Sequence, residues 1–308
     1  MLAFFFHTFI FPGFLFQFLS GWFFEWFDRK LLARYQRRVG PRWYQPFADL
    51  LKLFSKEDLI PTGTPELVAA ALPIVSLCAV LTAGMYVPVA GFDLLSFEGD
   101  LIIVLFLLSL PTLAYYLAGT ISVGIYSVLG GARSVLQYFS YEIPLLIALS
   151  GPAVLAGSWS IQGIVEVQNQ SAPFFIFQPV GFLLAIIGLI GKLKRDPLDI
   201  PKAKSEVVGG SLTEFTGTKL AFWHTVLNIQ TVVGIFLIIN LYLCFGECGS
   251  GLIGGVLFFI KFLGLAALLS TVSSLVARLR IDQLSGLGWK VLAPLALLQL
   301  IAVILMGV

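Results

Sequence analysis

The sequence has few charged residues and few of the side chains that bind redox cofactors. Only 12% of its 308 residues are charged, whereas soluble domains have roughly 25%. There are two histidines, His7 and His224, and they lie at opposite depths of two different apolar runs, so they cannot share a haem. Three cysteines cannot supply the four thiolates of a common iron–sulfur cluster. We therefore predict that this chain binds no cofactor and that partners carry any redox chemistry.

The sequence also lacks the motifs of nucleotide-binding and metal-binding sites. Neither the Gly-rich phosphate loop nor the dinucleotide fingerprint occurs, and nothing predicts a nucleic-acid partner. Cys78 lies inside an apolar run, while Cys244 and Cys248 flank Glu247 in a short loop. Two thiolates make half of a structural zinc site, so free thiols or one local disulfide are favoured. No metal site is predicted.

Long apolar runs are abundant instead. The chain is 58% hydrophobic and contains 28 Phe, in runs close to the ~20 residues with which a helix crosses a bilayer. The sequence predicts an all-α polytopic membrane protein, a single transmembrane domain over residues 1–308. About eight spans are expected near 2–27, 66–88, 101–118, 133–157, 176–193, 220–243, 251–277 and 286–307. The first run has neither a basic segment before it nor a cleavage site after it, so we interpret it as a span.

Basic residues lie almost entirely on one side of this arrangement. Of the 19 Lys and Arg residues, 18 fall at the connections after spans one, three, five and seven. The other connections contain acidic residues and no Lys or Arg. The positive-inside rule then places the basic loops in the cytoplasm and both termini outside the cell membrane. In the first basic loop Phe47, Leu50, Leu51 and Phe54 have helical spacing, which predicts an amphipathic interfacial helix.

Two ionisable residues are predicted to lie at membrane depth. Glu142 lies about nine residues into the fourth span, which is about 13 Å at 1.5 Å per residue. Because buried carboxylates are costly, we favour a proton path over a purely structural acid. Lys261 lies about ten residues into the seventh span, where an ion relay and a static ion pair are equally compatible with the pattern.

The third basic loop, residues 192–215, is the densest group of charges. Its charged residues alternate with Pro197, Pro201 and the apolar Leu198, Ile200, Val207 and Val208. This interleaving favours a loop that folds back against the bundle or a partner over a merely solvated loop.

Three segments resemble the membrane subunit of complex I known as subunit 1, or the H subunit in bacteria. They are Asp28-Arg-Lys-Leu-Leu-Ala-Arg-Tyr-Gln-Arg-Arg-Val-Gly-Pro41, Leu129-Gly-Gly-Ala-Arg-Ser-Val-Leu-Gln-Tyr-Phe-Ser-Tyr-Glu-Ile-Pro144 and the last loop from Arg278 to Lys290. The resemblance implies a protein that joins a cytoplasmic electron-transfer arm to ion-pumping membrane subunits. Its expected partners are cytoplasmic iron–sulfur subunits, a hydrogenase-like or 49-kDa-like large subunit, antiporter-like membrane subunits and the lipid bilayer.

The resemblance also implies roles for individual residues. It assigns to a proton path the intramembrane acid Glu142 and the third-loop acids Asp199, Glu206 and Glu214. We add Lys261 to this predicted path from its depth in the seventh span, not from the resemblance. The predicted arm-docking face and acceptor cavity comprise Asp28, Arg29, Gln36, Arg38, Lys192, Arg195, Lys202 and Lys204. We predict that the chain couples electron transfer in the cytoplasmic arm to ion movement in neighbouring subunits, and that it does not itself catalyse a reaction.

The third loop departs from the family pattern. Lys192, Lys202 and Lys204 stand where the family has Glu, and Leu198 stands for Phe; in the first loop Asp28 stands for Glu. Three ammoniums in place of three carboxylates alter the pKa of every neighbouring group. This favours the equivalent subunit of membrane-bound energy-converting hydrogenases or ferredoxin-dependent sulfane reductases. The alternatives are a quinone-site subunit and, on physical grounds alone, a stand-alone secondary transporter.

Overall fold

The computed structural model describes residues 2–59, 61–245 and 252–305, without the side chains of residues 2–5, 204, 205 and 252. These ranges are helical and contain no strand beyond one isolated bridge between Val89 and Phe92. The α-helices are α1 (Leu2–Phe9), α2 (Phe14–Tyr35), α3 (Gln45–Phe54), α4 (Glu66–Tyr86), α5 (Asp100–Ile121), α6 (Ile125–Ala156), α7 (Ile161–Gln170), α8 (Phe174–Phe177), α9 (Pro179–Leu193), α10 (Lys204–Val207), α11 (Gly217–Tyr242), α12 (Leu252–Leu275), α13 (Ile281–Leu287) and α14 (Ala293–Leu305).

Several of these helices are long enough for a bilayer, which confirms the all-α polytopic membrane fold. Within the described ranges six are long and apolar enough to cross: α4, α5, α6, α11, α12 from Ile253, and the continuous 281–305 segment. They correspond to six of the eight predicted spans. The fifth predicted span, 176–193, falls mainly on α9, which has only 15 residues. The first predicted span, 2–27, falls on α1 and α2. Charged residues occupy the second half of α2.

The prediction of one continuous helix over residues 2–27 is wrong. The structure ends α1 at Phe9 and begins α2 at Phe14. Pro12 lies in the connection, and proline has no N–H with which to continue a helical ladder. Helix α2 then continues to Tyr35, beyond the predicted limit.

The amphipathic helix is present as α3, which confirms the prediction for the first basic loop. Phe47 contacts Trp22 of α2 with ring centroids 5.9 Å apart, and Phe54 contacts Phe222 of α11 at 5.7 Å. On its polar face Asp49 accepts a hydrogen bond from Arg29 Nη1 at 2.7 Å. The apolar contacts and the ion pair hold α3 against α2 and α11.

Helix α11 is the centre of the bundle. It contacts α2, α4, α9 and α12, and nearly all of its apolar stretch is buried. By contrast, α4, α12 and the terminal helix leave large apolar side chains such as Leu67, Ile253 and Leu305 on the outside. Apolar outer faces on helices of this length are suited to lipid.

Helices α6 and α9 approach each other closely because α9 has glycine at the contact. A Cβ atom at Gly188 would lie 2.8 Å from Leu145 Cβ, and one at Gly191 would lie 2.8 Å from the Tyr141 ring. Tyr141 is only 1% exposed, so its ring has little space in which to move. The last turn of α9 therefore rests directly on the middle of α6.

Replacing Gly191 with Ala should separate α9 from α6. Overpacking of a core commonly costs about 1–3 kcal/mol, and we expect a loss of this size in the free energy of unfolding, measured in mixed micelles. Gly264→Ala in α12 is the matched control, because nothing lies within 4 Å of its added Cβ. Equal stabilities for the two variants would contradict the close contact.

Candidate functional site

A buried ion pair lies between α6 and α9. Lys192 Nζ donates a hydrogen bond to Glu142 Oε1 at 2.7 Å, and the two side chains are 3% and 5% exposed. Glu142 lies near the middle of α6, and Lys192 lies in the last turn of α9. Cations are favourable near helix C-termini, so α9 itself helps to hold the ammonium. Glu142 Oε2 is buried without a partner in the described part of the chain.

The third basic loop is attached to this pair by Gln137. Its Nε2 donates to the carbonyl oxygens of Gly191 at 2.8 Å and Leu198 at 2.7 Å. Leu198, Ile200 and Val207 are 3%, 4% and 1% exposed, which confirms that the loop folds back against the bundle. Val208 is 55% exposed, so the expectation fails for that residue.

A cavity of about 250 Å³ lies beneath the loop. Its charged and titratable lining comprises Asp28, Lys194, Arg195, Asp196, Asp199, Lys202 and His224. Four of these residues, Asp28, Arg195, Asp199 and Lys202, were predicted for the acceptor cavity or the proton path. The structure thus brings together residues separated by up to about two hundred positions in the chain.

The α2 side of the cavity is fixed by Asp28. One carboxylate oxygen pairs with Arg195 Nη1 at 2.9 Å, and the other accepts a hydrogen bond from Ser270 Oγ at 2.6 Å. The Arg195 guanidinium also lies 4.6 Å from the centroid of the Phe24 ring. Asp28 therefore joins α2, α12 and the third loop at one point.

On the loop side, two groups have pKa values close to neutrality. Burial raises the pKa of Asp199 to about 6, although Lys202 and Arg278 oppose this. Arg278 Nη2 donates to Asp199 at 3.0 Å. Burial lowers the pKa of Lys202 to about 8, against the favourable charge of Asp199. These two side chains can gain or lose a proton near pH 7.

Glu206 and Glu214 do not join the buried pair. Glu206 is exposed and pairs with Arg133, which lies nine residues before Glu142 on α6, or about 13 Å along the axis. Glu214 packs its carboxylate against Gly124 at the start of α6, about 27 Å from Glu142 on the same measure. Only Asp199 of the three predicted loop acids lines the cavity.

The remaining predicted residues are dispersed. Lys261 is half-buried on α12 and donates to the Phe245 carbonyl at 2.8 Å. Arg29 pairs with Glu25 and Asp49, while Gln36 and Arg38 are exposed after α2. Lys204 begins α10, and its side chain, like Cys248, lies outside the described residues.

Lys194 was missed by the sequence prediction although it is a buried part of this site. It is 3% exposed, and its ammonium lies 4.4 Å from the Tyr115 ring centroid. Lys194 ends α9 with a left-handed backbone, φ 50° and ψ 48°, a conformation usually given to glycine. In sequence it is one of several charges in a loop, so only the unusual turn distinguishes it.

No group of three or more His, Cys, Asp or Glu side chains within the described ranges is arranged to bind a metal ion. The groups that the site does contain offer proton exchange and ion pairing. A buried pair, an unpartnered carboxylate oxygen and two groups that titrate near neutrality can store and pass a proton.

Lys192→Met should destabilise the protein, because it leaves Glu142 buried without its cation. Breaking a buried pair from one side typically costs about 3–5 kcal/mol. The double variant Lys192→Met/Glu142→Gln should recover most of this loss in a mixed-micelle unfolding titration. Asp282→Asn is the control, because its pair with Arg280 is exposed on both sides and should contribute little. A double variant as unstable as the single one would contradict a pairwise interaction.

The fold and sequence are similar to those of known respiratory membrane proteins. The NADH dehydrogenase family model matches residues 9–304. The H subunit of NADH-quinone oxidoreductase from Dehalococcoides mccartyi (strain ATCC BAA-2266 / KCTC 15142 / 195) is 33% identical over 285 residues, which are 90% of this chain and 80% of that protein. The H subunit from Syntrophotalea carbinolica is 36% identical over 291 residues, covering 89% of this chain and 87% of that protein.

A solved structure is similar over almost the whole chain. It is a chain of the membrane-bound sulfane sulfur reductase, described as an archaeal respiratory membrane complex. The two chains share 26% identity with a TM-score of 0.85, over 94% of this chain and 96% of the other. These similarities confirm the resemblance drawn from the sequence motifs: the chain belongs to the NADH dehydrogenase family, whose members are the subunit 1 and H-subunit proteins of complex I.

Proposed function

We propose that the chain is the membrane-anchor and coupling subunit of a complex-I-related oxidoreductase. Electron transfer in a cytoplasmic arm changes the charge near the third loop. The cavity groups respond to that change, and the Lys192–Glu142 pair transmits it to ion movement in neighbouring subunits. The chain itself binds no redox cofactor in this proposal; the iron–sulfur clusters belong to its partners.

The buried Lys192–Glu142 pair is the observation that carries this proposal. An ion pair at membrane depth is costly to maintain and is characteristic of ion pathways. Here it adjoins the loop that forms a cavity whose rim residue Asp196 is half exposed. Asp199 in that cavity has a pKa of about 6, so a change in nearby charge can alter its protonation at neutral pH.

We propose that the cavity faces the cytoplasm and that both termini lie outside. The positive-inside pattern supports this orientation, because the cavity is built from the basic loops. The docking partners proposed for this side are iron–sulfur subunits and a hydrogenase-like or 49-kDa-like large subunit. Antiporter-like subunits are proposed as neighbours within the bilayer.

For the terminal acceptor we favour protons or sulfane sulfur over quinone. Lys192 and Lys202 place ammoniums at the buried pair and in the cavity, where the family pattern has carboxylates. The similar chain of the sulfane sulfur reductase supports this choice. A quinone-site role is the second candidate, and the names of the NADH-quinone oxidoreductase relatives favour it.

Removing the acid should separate electron transfer from ion movement. In proteoliposomes with the intact complex, Glu142→Gln/Lys192→Met should abolish the ion gradient while electron transfer from a soluble donor remains measurable. The double variant is preferable to Glu142→Gln alone, because it leaves no buried unpaired charge. Asp282→Asn serves as the control, and its gradient should match that of the unaltered complex.

An unchanged gradient in the double variant would rule out the pair as a coupling element. The transporter alternative is tested in a separate preparation. Liposomes that contain this chain alone should show no ion or solute flux; a specific flux would favour the secondary transporter.

The acceptor can be identified with the same intact complex. With reduced ferredoxin as donor, we expect polysulfide reduction or hydrogen evolution and no reduction of a soluble quinone analogue. Quinone reduction that Lys202→Met diminishes would instead support the quinone-site role.

A further inference from the structure

The environment of Lys194 disfavours a permanent positive charge on its side chain. It is almost fully buried, and its ammonium has no carboxylate within ion-pair distance in the described part of the chain. The ammonium lies 4.4 Å from the centroid of the Tyr115 ring. Lys202 Nζ lies 5.9 Å from the centroid of the same ring, so two cationic side chains share one aromatic ring.

We propose that Lys194 is a proton-exchanging amine that connects the cytoplasmic cavity with the Lys192–Glu142 pair. This proposal rests on the proposed coupling function and adds a residue to its proton path. Lys194 lines the cavity, and it follows Lys192 by two residues at the end of α9. It is therefore a titratable side chain that belongs to both the open cavity and the helix end that carries the pair.

Both protonation states of Lys194 are stabilised by specific neighbours. The face of Tyr115 and the nearby Glu142 favour the ammonium. Burial, Lys202 and Lys192 favour the neutral amine, and together they hold the pKa of Lys194 well below its usual value. A buried lysine whose pKa is lowered in this way gives up its proton more readily than an exposed lysine does.

Charged and titratable groups on several elements line the cavity with Lys194 or act on it directly. They are Asp28 on α2, Tyr115 on α5, Glu142 on α6, Lys192 on α9, His224 on α11, and Arg195, Asp196, Asp199 and Lys202 in the loop. Asp28 is paired with Arg195, and Asp199 with Arg278. The acids on the cavity wall are thus engaged elsewhere, which leaves Lys194 free to respond to its surroundings.

The proposed exchange moves protons and no electrons. Lys192 gives a proton to Glu142, and the ion pair becomes a neutral amine and a neutral carboxylic acid. The Lys194 ammonium then returns a proton to Lys192, and the neutral Lys194 takes up a proton from the cavity. The sum is one proton transferred from the cavity to Glu142.

Substitutions at Lys194 in the intact complex test this role. Arginine stays protonated, and methionine has a similar stem without a charge. If exchange is required, both Lys194→Arg and Lys194→Met should lower the rate of gradient formation at least about tenfold, since acid–base groups commonly contribute about 10²–10⁴-fold. Electron transfer should continue in both variants. Lys290→Arg, at an exposed position, is the matched control.

Lys194→His should partly rescue gradient formation, which a purely structural role of Lys194 would not predict. Histidine exchanges protons but has a lower pKa than lysine. It should restore part of the gradient, with a pH optimum shifted to lower pH. This variant decides the question even if the Arg and Met variants fail to assemble, because an unshifted pH profile would overturn the proposal.

The remaining outcomes are also distinct. A gradient retained by Lys194→Arg but lost by Lys194→Met would mean a static positive charge, and a gradient retained by both would mean no role; either result overturns the proposal. Failure of the coupling function itself appears separately, as a normal gradient in Glu142→Gln/Lys192→Met.

Discussion

The architecture of the site depends on the ion pair between Lys192 and Glu142. Moving two charges out of water costs several kcal/mol per ion, and close geometry is needed to offset that cost. The distance of 2.7 Å is available because Gly188 and Gly191 let α9 lie directly on α6. The packing of α9 on α6 and the Lys192–Glu142 ion pair therefore depend on each other, and a change in one alters the other.

The same contact determines the position of the third loop. Gln137 binds a carbonyl at the end of α9 and another in the loop, so the loop begins beneath the surface instead of in the solvent. Leu198, Ile200 and Val207 fill the space around it. The charged residues between them are consequently held in a cavity, where burial moves the pKa values of Asp199 and Lys202 towards neutrality.

Much of the fold could be predicted from the sequence, because the length of apolar runs and the placement of charge are direct physical signals. The interfacial helix and the folded-back loop followed from the spacing of their apolar residues. The pairing of Lys192 with Glu142 could not be predicted, since the two are separated by 50 residues and their contact depends on how α9 is rotated against α6. Lys194 was missed for a related reason: a left-handed turn at a non-glycine residue has no reliable sequence signature. Glu206 and Glu214 show the opposite error, because proximity in a motif does not imply proximity to Glu142.

The neutrality of the buried pair has a consequence for its response to membrane voltage. A full charge that crosses the bilayer gains or loses about 2.3 kcal/mol per 100 mV. Transfer of a proton from Lys192 to Glu142 spans only the 2.7 Å between the two atoms, under about a tenth of the ~30 Å hydrocarbon thickness. The step is therefore worth about 0.2 kcal/mol per 100 mV at most on the same scale. The pair can exchange its proton at nearly the same free energy in an energised membrane as in a resting one.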